Sequence, residues 1–362
     1  MTIEELDNRQ SRLIRTMRFP LIVLVLFEHS LGFEQAPMHW PLERADAFPF
    51  FSEMVSHHLA PLAVCLFFVF SGYLFFHNLP TGDFGWDWIG RKWKSRTRTL
   101  LIPYLLWNGL DILSIVLVSK VFALAGVPIH ADGVEKLGWG PLYWFVTGPA
   151  DFPLWYLRDL IIMSLLAPLL YLCIRKAPYP TLIVLVVLYL PLIRIPFLSY
   201  RALFFFGMGA WLSIRKINIL SLCRRIRIPA AILAGVLILV ATAFTGHPSH
   251  EWPLRLFFPF GMITLFNLFD GMMDNARFEQ RMARLSSTVF FIYAVHEIYI
   301  LGWTKGLLLR LMGESALAVL FRYLLVPFIV LIICLFLYKV LNRIIPGALA
   351  FACGGRTKPF HK

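Results

Sequence analysis

Residues 316–340 read ALAVLFRYLLVPFIVLIICLFLYKV, a run of 25 residues in which only Arg322 and Lys339 are charged. A helix needs about 20 apolar residues to cross the hydrocarbon core of a bilayer, so this stretch predicts a membrane-spanning helix. The same reasoning predicts nine further spans, at 17–33, 59–79, 100–125, 153–173, 181–199, 200–214, 229–246, 253–270 and 286–303. The sequence therefore predicts an all-α polytopic membrane protein, a bundle of about ten transmembrane helices.

The composition of the 362 residues excludes other classes of protein. Apolar residues make up 59% of the chain and charged residues 15%, whereas soluble domains carry about 25% charged residues. The mean hydropathy is +0.70. A soluble enzyme, a disordered chain and a disulfide scaffold are therefore excluded. The five cysteines show no metal-ligand spacing, so we expect free thiols and no metal.

The net charge of +13 is explained by membrane topology, without a nucleic-acid partner. If the N-terminus is cytoplasmic, 24 Lys and Arg residues fall on the inner side, six on the outer side and four within the spans. Because basic residues concentrate in cytoplasmic segments, both termini are predicted to be cytoplasmic. The expected organisation is a cytoplasmic N-terminal arm at 1–16, a transmembrane domain at 17–340 and a cytoplasmic basic tail at 341–362, in the inner cell membrane.

Several polar side chains lie within the predicted spans, where each costs several kcal/mol unless it is paired or faces water. Any one of them is as readily structural as functional, and Arg158 with a carboxylate is a natural ion pair. The whole set is larger than a structural bundle needs, so we expect a polar cavity inside the bundle. The residues are Glu28, His29, Ser30, Asn108, Asp111, Arg158, Asp159, Arg194, Asn267, Asp270, His296, Glu297 and Arg322.

The most informative spacing separates Arg18 from His29 in the first span. Eleven helical steps leave the two side chains within about 20° on one face, and the histidine lies about 16 Å deeper. A guanidinium suited to phosphate would then lie at the cytoplasmic mouth, below a group that shuttles protons near neutral pH. His296 reaches a similar depth in its own span, so we expect the two histidines to face one cavity. A histidine that only forms an interhelical hydrogen bond remains an alternative for each.

The sequence also resembles the acyltransferase-3 family of integral-membrane acyltransferases over roughly residues 10–340. Arg18 and His29 match the family's signature of a basic residue, ten residues and a histidine in the first membrane helix. Four further stretches are similar to family motifs in the same order: FFVFSGYLF at 67–75, RTLLIPY at 98–104, PLWYLRDL at 153–160 and FFIYAVH at 290–296.

The resemblance implies transfer of an acyl group, usually acetyl, from cytoplasmic acyl-CoA to a hydroxyl of an envelope glycan or lipid-linked saccharide. His29 would be the general base, with Glu28 or His296 as its catalytic partners. The donor would be held by Arg18 and by Arg158 of the third motif.

In the family a basic residue stands directly before the LLIP run, whereas this chain has Thr99 at that position. The role of that basic residue in holding the donor is therefore carried over to Arg96 or Arg98. Ordinary charge of an inner loop is the alternative for these two arginines. The spacing alone leaves Glu28 about 100° from His29, so Glu297 or His296 is an alternative partner for the base.

A transporter or flippase of a small acid or glycolipid, coupled to protons, is the rival class, since buried His, Glu and Arg suit proton coupling. The arginine and histidine on one helix face favour the enzyme. The acyl group could also be succinyl or a longer chain. The sequence leaves the acceptor and the oligomeric state open.

Reporter fusions test the predicted orientation. Fusions at Asn218 and at the C-terminus should report the cytoplasm, and a fusion at Gly133 should report the outer side. An outer location of Asn218 would remove the fifth and sixth predicted spans.

Overall fold

The computed structural model of the chain describes residues 3–31, 34–77, 79, 85–124, 126, 140, 143–190 and 198–357. These residues form sixteen α-helices and no β-strand. The helices are α1 (Ile3–Ser30), α2 (Ala47–Glu53), α3 (Leu62–Phe76), α4 (Trp86–Arg96), α5 (Ile102–Leu124), α6 (Trp155–Lys176), α7 (Pro178–Tyr189), α8 (Tyr200–Ile214), α9 (Ile219–Arg225), α10 (Arg227–Ala243), α11 (Glu251–Met272), α12 (Ala276–Leu285), α13 (Val289–Val295), α14 (Leu301–Met312), α15 (Ala316–Ile344) and α16 (Pro346–Ala352).

Wider π-type turns join several of these helices into longer continuous stretches. They lie at Met54–Leu59, Thr97–Leu101 and His296–Ile300, and a separate one covers Tyr143–Thr147. Among the described residues, five continuous stretches are long and apolar enough to cross a membrane, and the number rises to seven if two bent pairs each count as one span. The five are Arg44–Phe76, Trp86–Leu124, Phe152–Lys176, Glu251–Met272 and Ala316–Ile344.

The other predicted spans correspond to bent or shorter helices. α8 and α9 meet at 103°, and α12 meets the stretch Val289–Met312 at 48°. α7 and α10 are apolar but have only 12 and 17 residues, and residues 191–197 of the fifth predicted span lie outside the described residues. The first predicted span corresponds to the apolar second half of α1. The all-α membrane class is thus confirmed, while the count of ten and the orientation of the termini stay predictions.

The polar first half of α1 is tied to the neighbouring helices by ion pairs. Arg9 Nε lies 2.5 Å from Asp270 Oδ1 of α11, and Arg224 of α9 lies 2.6 Å from the other oxygen of the same carboxylate. Arg12 approaches Glu279 of α12 at 3.5 Å. Asp270, which the sequence places inside a span, therefore belongs to a structural ion-pair network near the end of α11. α1 runs without a break through the predicted boundary at residue 16, and α15 runs through residue 340.

The closest helix contact in the bundle joins α3 to α8 through two glycines. A Cβ on Gly72 would overlap the carbonyl oxygen of Phe206, and a Cβ on Gly209 would overlap that of Val69. Small residues let membrane helices approach backbone to backbone, and Gly72 and Gly209 have this role here. The contact holds α3 against α8 while another face of α3, which carries Phe67, Ser71 and Leu74, lines the cavity.

Substituting Gly209 by Ala should separate α3 from α8. The added methyl group meets backbone atoms that cannot move aside, so we expect a loss of about 1–3 kcal/mol of stability and a lower Tm of the purified protein. Gly235→Ala is the matched control, because a Cβ at Gly235 meets nothing within 4 Å. Equal Tm values for the two variants would contradict the described contact.

Candidate active site

A cavity of about 1440 Å³ opens inside the bundle. α1 lines it with Arg15, Arg18, Ile22, Val25 and His29, whose spacing of three or four residues places them on one helix face. α3, α6, α8, α12 and α13 supply most of the remaining wall. The structure thus contains a cavity inside the bundle, and Arg18 and His29 both line it. Of the described residues in the polar set named from the predicted spans, only Glu28 and His29 are in its wall, while Arg194 lies outside the described residues.

One end of the cavity is lined by arginines. Arg18 and Arg96 are partly buried, and the Arg96 guanidinium lies 5.4 Å from the centre of the Phe75 ring. Among the residues that the structure describes, no carboxylate lies within ion-pair distance of any arginine at this end. Because partly buried cations are stabilised by an opposite charge, Arg18 and Arg96 are suited to bind an anion. The partly buried Arg356 and the exposed Arg15 and Arg284 line the same end, and all five are here called the arginine cluster.

His29 lies in the last turn of α1, where it contacts His296 and Glu297. The ring centroids of the two histidines are 5.1 Å apart. Only His29 is among the residues that line the cavity, so the expectation that both histidines face it stays a prediction. His29 Nδ1 lies 3.4 Å from Glu297 Oε2. A carboxylate beside Nδ1 favours the tautomer with the proton on that nitrogen, which leaves Nε2 able to accept a proton.

His296 is oriented by the backbone of its own helix. Its Nδ1 donates to the carbonyl oxygens of Ile292 and Tyr293, at 3.1 and 2.9 Å. Its Nε2 is therefore the unprotonated nitrogen of the neutral ring, and it faces Glu297 Oε2 at 3.8 Å. His296 is fully buried, and its ring packs against that of His29.

A break in the helix after His296 turns Glu297 toward His29. Ile298 has ψ +93° and Tyr299 has φ +57°, a left-handed conformation that non-glycine residues rarely adopt. Such strained positions concentrate at functional sites, where surrounding packing holds them. The chain resumes a regular helix at α14, whose Lys305 donates to the carbonyl oxygen of His29 at 2.6 Å. Lys305 thereby caps the last turn of α1 and fixes the backbone that carries His29.

The cavity continues past His29 to a third group of polar side chains. Glu28, His57 and Arg201 all line this part. The Arg201 guanidinium stacks at 5.0 Å over the Phe258 ring. His57 Nδ1 lies 2.6 Å from the buried carboxylate of Glu53. Within the described part of the chain, Glu28 makes no ion pair with His29, so the structure brings Glu297 rather than Glu28 to the imidazole.

Two arginines that the sequence assigns to the donor lie elsewhere in the structure. Arg158 pairs with Asp159 at 3.0 Å and donates to the carbonyl oxygen of Thr147. The second carboxylate oxygen of Asp159 accepts from the amide of Ser199, so this group joins α6 to the start of α8. Arg98 is exposed on the turn between α4 and α5 and is not among the residues that line the cavity. Their role in donor binding stays a prediction that these contacts do not favour.

Several cavity or site residues, among them Arg15 and Arg284 of the arginine cluster, are not identified as such from the sequence. Arg201 and Lys305 were counted only as charges of the outer segments, and Arg356 only as part of the basic tail. His57 was assigned no role. Their positions depend on long-range packing that no local spacing reveals, although Gly354-Gly355 before Arg356 signals a turn of the tail.

One group of side chains has the composition of a metal site. Ligand atoms of His29, His296 and Glu297 lie within 4.8 Å of one another. Three such ligands would suffice for a catalytic metal with an open position. The expectation that the protein uses no metal stays a prediction.

Comparisons with known proteins show what the chain is similar to. The acyltransferase-3 sequence profile, described as an acyltransferase domain, matches residues 13–342. The succinoglycan biosynthesis protein ExoH of Rhizobium meliloti (strain 1021) is 30% identical over 295 residues, which cover 79% of this chain and 77% of that protein. No solved structure matches the chain significantly.

Substitution of Arg158 by Ala should act on stability. Asp159 is fully buried, so removing its partner leaves an uncompensated charge that costs about 3–5 kcal/mol. We expect a clearly lower Tm, whereas Lys176→Ala at the exposed end of the same helix should leave Tm unchanged. A normal Tm together with a raised KM for the acyl donor would instead place Arg158 in the donor site.

Proposed function

The chain belongs to the acyltransferase-3 family, and on this premise we propose that it is a membrane O-acyltransferase. It moves an acyl group, acetyl in the simplest case, from cytoplasmic acyl-CoA to a hydroxyl of an envelope polysaccharide or lipid-linked saccharide. One observation carries the proposal: arginines without carboxylate partners and a buried, oriented histidine line the same cavity. Neither feature is needed to hold the bundle together.

The donor is proposed to enter at the arginine cluster. Coenzyme A carries its phosphates at the nucleotide end, and guanidinium groups bind phosphate through charge-assisted hydrogen bonds. The pantetheine arm is thin and extended, comparable in reach to the rise of about 16 Å between Arg18 and His29. With the phosphates at Arg18 and Arg96, the thioester would lie beside His29.

The reaction then follows from the tautomer of His29. Its Nε2 takes the proton of the acceptor hydroxyl while the oxygen attacks the thioester carbon. The carbon–sulfur bond breaks, the acyl group forms an ester with the acceptor, and the departing sulfur takes the proton from His29. Glu297, at 3.4 Å from Nδ1, stabilises the imidazolium that forms between these steps.

The acceptor is proposed to approach from the part of the cavity beyond His29. Glu28, His57 and Arg201 supply hydrogen-bonding groups for a saccharide there. The similarity to a protein of succinoglycan biosynthesis supports a polysaccharide or its lipid-linked precursor as acceptor. We place the enzyme in the inner cell membrane, with the arginine cluster at the cytoplasmic side where the positive-inside pattern puts it.

Kinetics of variants at two positions separate the proposed roles of Arg18 and His29. Arg18→Ala should raise the KM for acyl-CoA about ten- to a hundred-fold, since one charge-assisted hydrogen bond is lost, and Arg18→Lys should retain part of the affinity. His29→Ala and His29→Gln should instead lower kcat by about a hundred- to ten-thousand-fold with donor binding unchanged. The assay is acyl transfer by purified protein at varied acyl-CoA.

Arg215→Ala and His77→Gln serve as controls, because both residues are exposed and lie outside the cavity wall. Normal turnover by a well-expressed His29→Gln variant would contradict the role of His29 as the base, whereas the absence of acyl transfer by the wild type would favour a proton-coupled transporter. A chelator should leave wild-type activity unchanged. Loss of activity that added metal restores would assign the His29, His296 and Glu297 group to a metal.

A further inference from the structure

The C-terminal residues turn back onto the bundle after α15. α16 follows at once, and its end is held by Trp107 Nε1 of α5, which donates to the carbonyl oxygen of Ala352 at 3.0 Å. Leu349 and Cys353 are buried by this contact. Residues 346–357, here called the tail, are therefore a packed part of the fold.

Two glycines then direct the tail to the turn between α4 and α5. Gly354 and Gly355 have φ of +63° and +76°, which side chains other than glycine rarely adopt. A Cβ at Gly354 would also lie 2.9 Å from Thr99 Cα and 3.1 Å from the carbonyl oxygen of Arg98. The tail thus requires glycine here both for its conformation and for its approach to the RTLLIPY motif.

The next residue, Arg356, lines the cavity at the arginine cluster. Its guanidinium lies 4.3 Å from the centre of the Phe290 ring, and its Nη1 donates to the carbonyl oxygen of Cys353 at 3.3 Å. These contacts hold the side chain in place while no described carboxylate pairs with it.

Arg356 shares a desolvated region with other cations. Burial, followed by the nearby charge of Arg96, lowers the pKa of Arg356 to about 10. The group is therefore charged at pH 7 and close to like charges, and none of the described carboxylates forms an ion pair with it. An anionic ligand would relieve this repulsion.

We propose that the tail completes the donor site and that Arg356 binds a phosphate of acyl-CoA together with Arg18 and Arg96. The proposal rests on the function proposed above. It adds a binding residue beyond residues 13–342, which are the part matched by the acyltransferase profile. If Arg356 were purely structural, it would only anchor the tail to Phe290. The effect of its substitution on activity would then not depend on the donor concentration.

Binding of coenzyme A to the purified full-length protein in nanodiscs tests this. Arg356→Ala should weaken binding about ten-fold or more, and Arg356→Lys should recover part of it. Arg343→Ala is the matched control, because it removes an exposed basic residue from the end of α15, and its affinity should equal that of the wild type. In acyl transfer, Arg356→Ala should raise the KM for acyl-CoA with kcat nearly unchanged.

Gly354→Val provides an independent route to the same result. The added side chain clashes with the backbone of Thr99 and should displace the tail from the turn between α4 and α5. Binding of coenzyme A should then be weakened as it is by Arg356→Ala. Hydrogen exchange of the wild-type tail removes any dependence on variant folding: coenzyme A should slow exchange across residues 346–357.

The outcomes distinguish the two proposals. If the wild type does not bind coenzyme A, the donor and the proposed function both fail. If the wild type binds it and Arg18→Ala weakens binding, but Arg356→Ala and tail exchange are unaffected, only the role of the tail is overturned.

Discussion

The site depends on the helical geometry of α1, which carries Arg18 and His29 on one face. Eleven residues of helix set their separation at about 16 Å, and the intervening residues on that face line the same cavity. The rest of the structure is arranged around this face. α3 and α8 close one wall through reciprocal glycines, the break after His296 brings Glu297 to the imidazole, and Lys305 caps the helix at its reactive end.

Charge pairing separates structural from functional residues in this bundle. Asp270 is held by Arg9 and Arg224, and Asp159 by Arg158, so the desolvation of each charge is offset by its partner. The arginine cluster has no such partners among the described residues. Arg18, Arg96 and Arg356 are partly buried close to one another, which is the physical reason for proposing an anionic ligand at that end.

The sequence predicts those features that depend on local geometry. The helix period places Arg18 and His29 on one face, and depth along two helices brings His29 to His296. It also predicts the membrane class, since composition alone requires apolar helices. It does not tell which buried charges are paired, so Arg158, an ion pair with Asp159 in the structure, was also assigned to the donor.

Long-range packing decides the rest of the site, and local spacing does not encode it. Glu297 rather than Glu28 reaches His29 because of a backbone break that no propensity predicts. Arg356 reaches the cavity because the tail folds back over some 250 residues of chain to meet the turn at Thr99. The lengths of the helices also depend on long-range packing. The second predicted span extends back to Arg44 through a wide turn, and other predicted spans are bent or shorter than expected.

A structure of the protein with a non-hydrolysable acyl-CoA analogue tests the central claim most directly. The account predicts that the phosphates lie among Arg18, Arg96 and Arg356. It also predicts that the acyl end lies beside His29, where a hydroxyl hydrogen-bonded to Nε2 can reach the carbon that replaces the thioester carbon. An analogue bound outside the cavity, or bound with its acyl end away from His29, would contradict it.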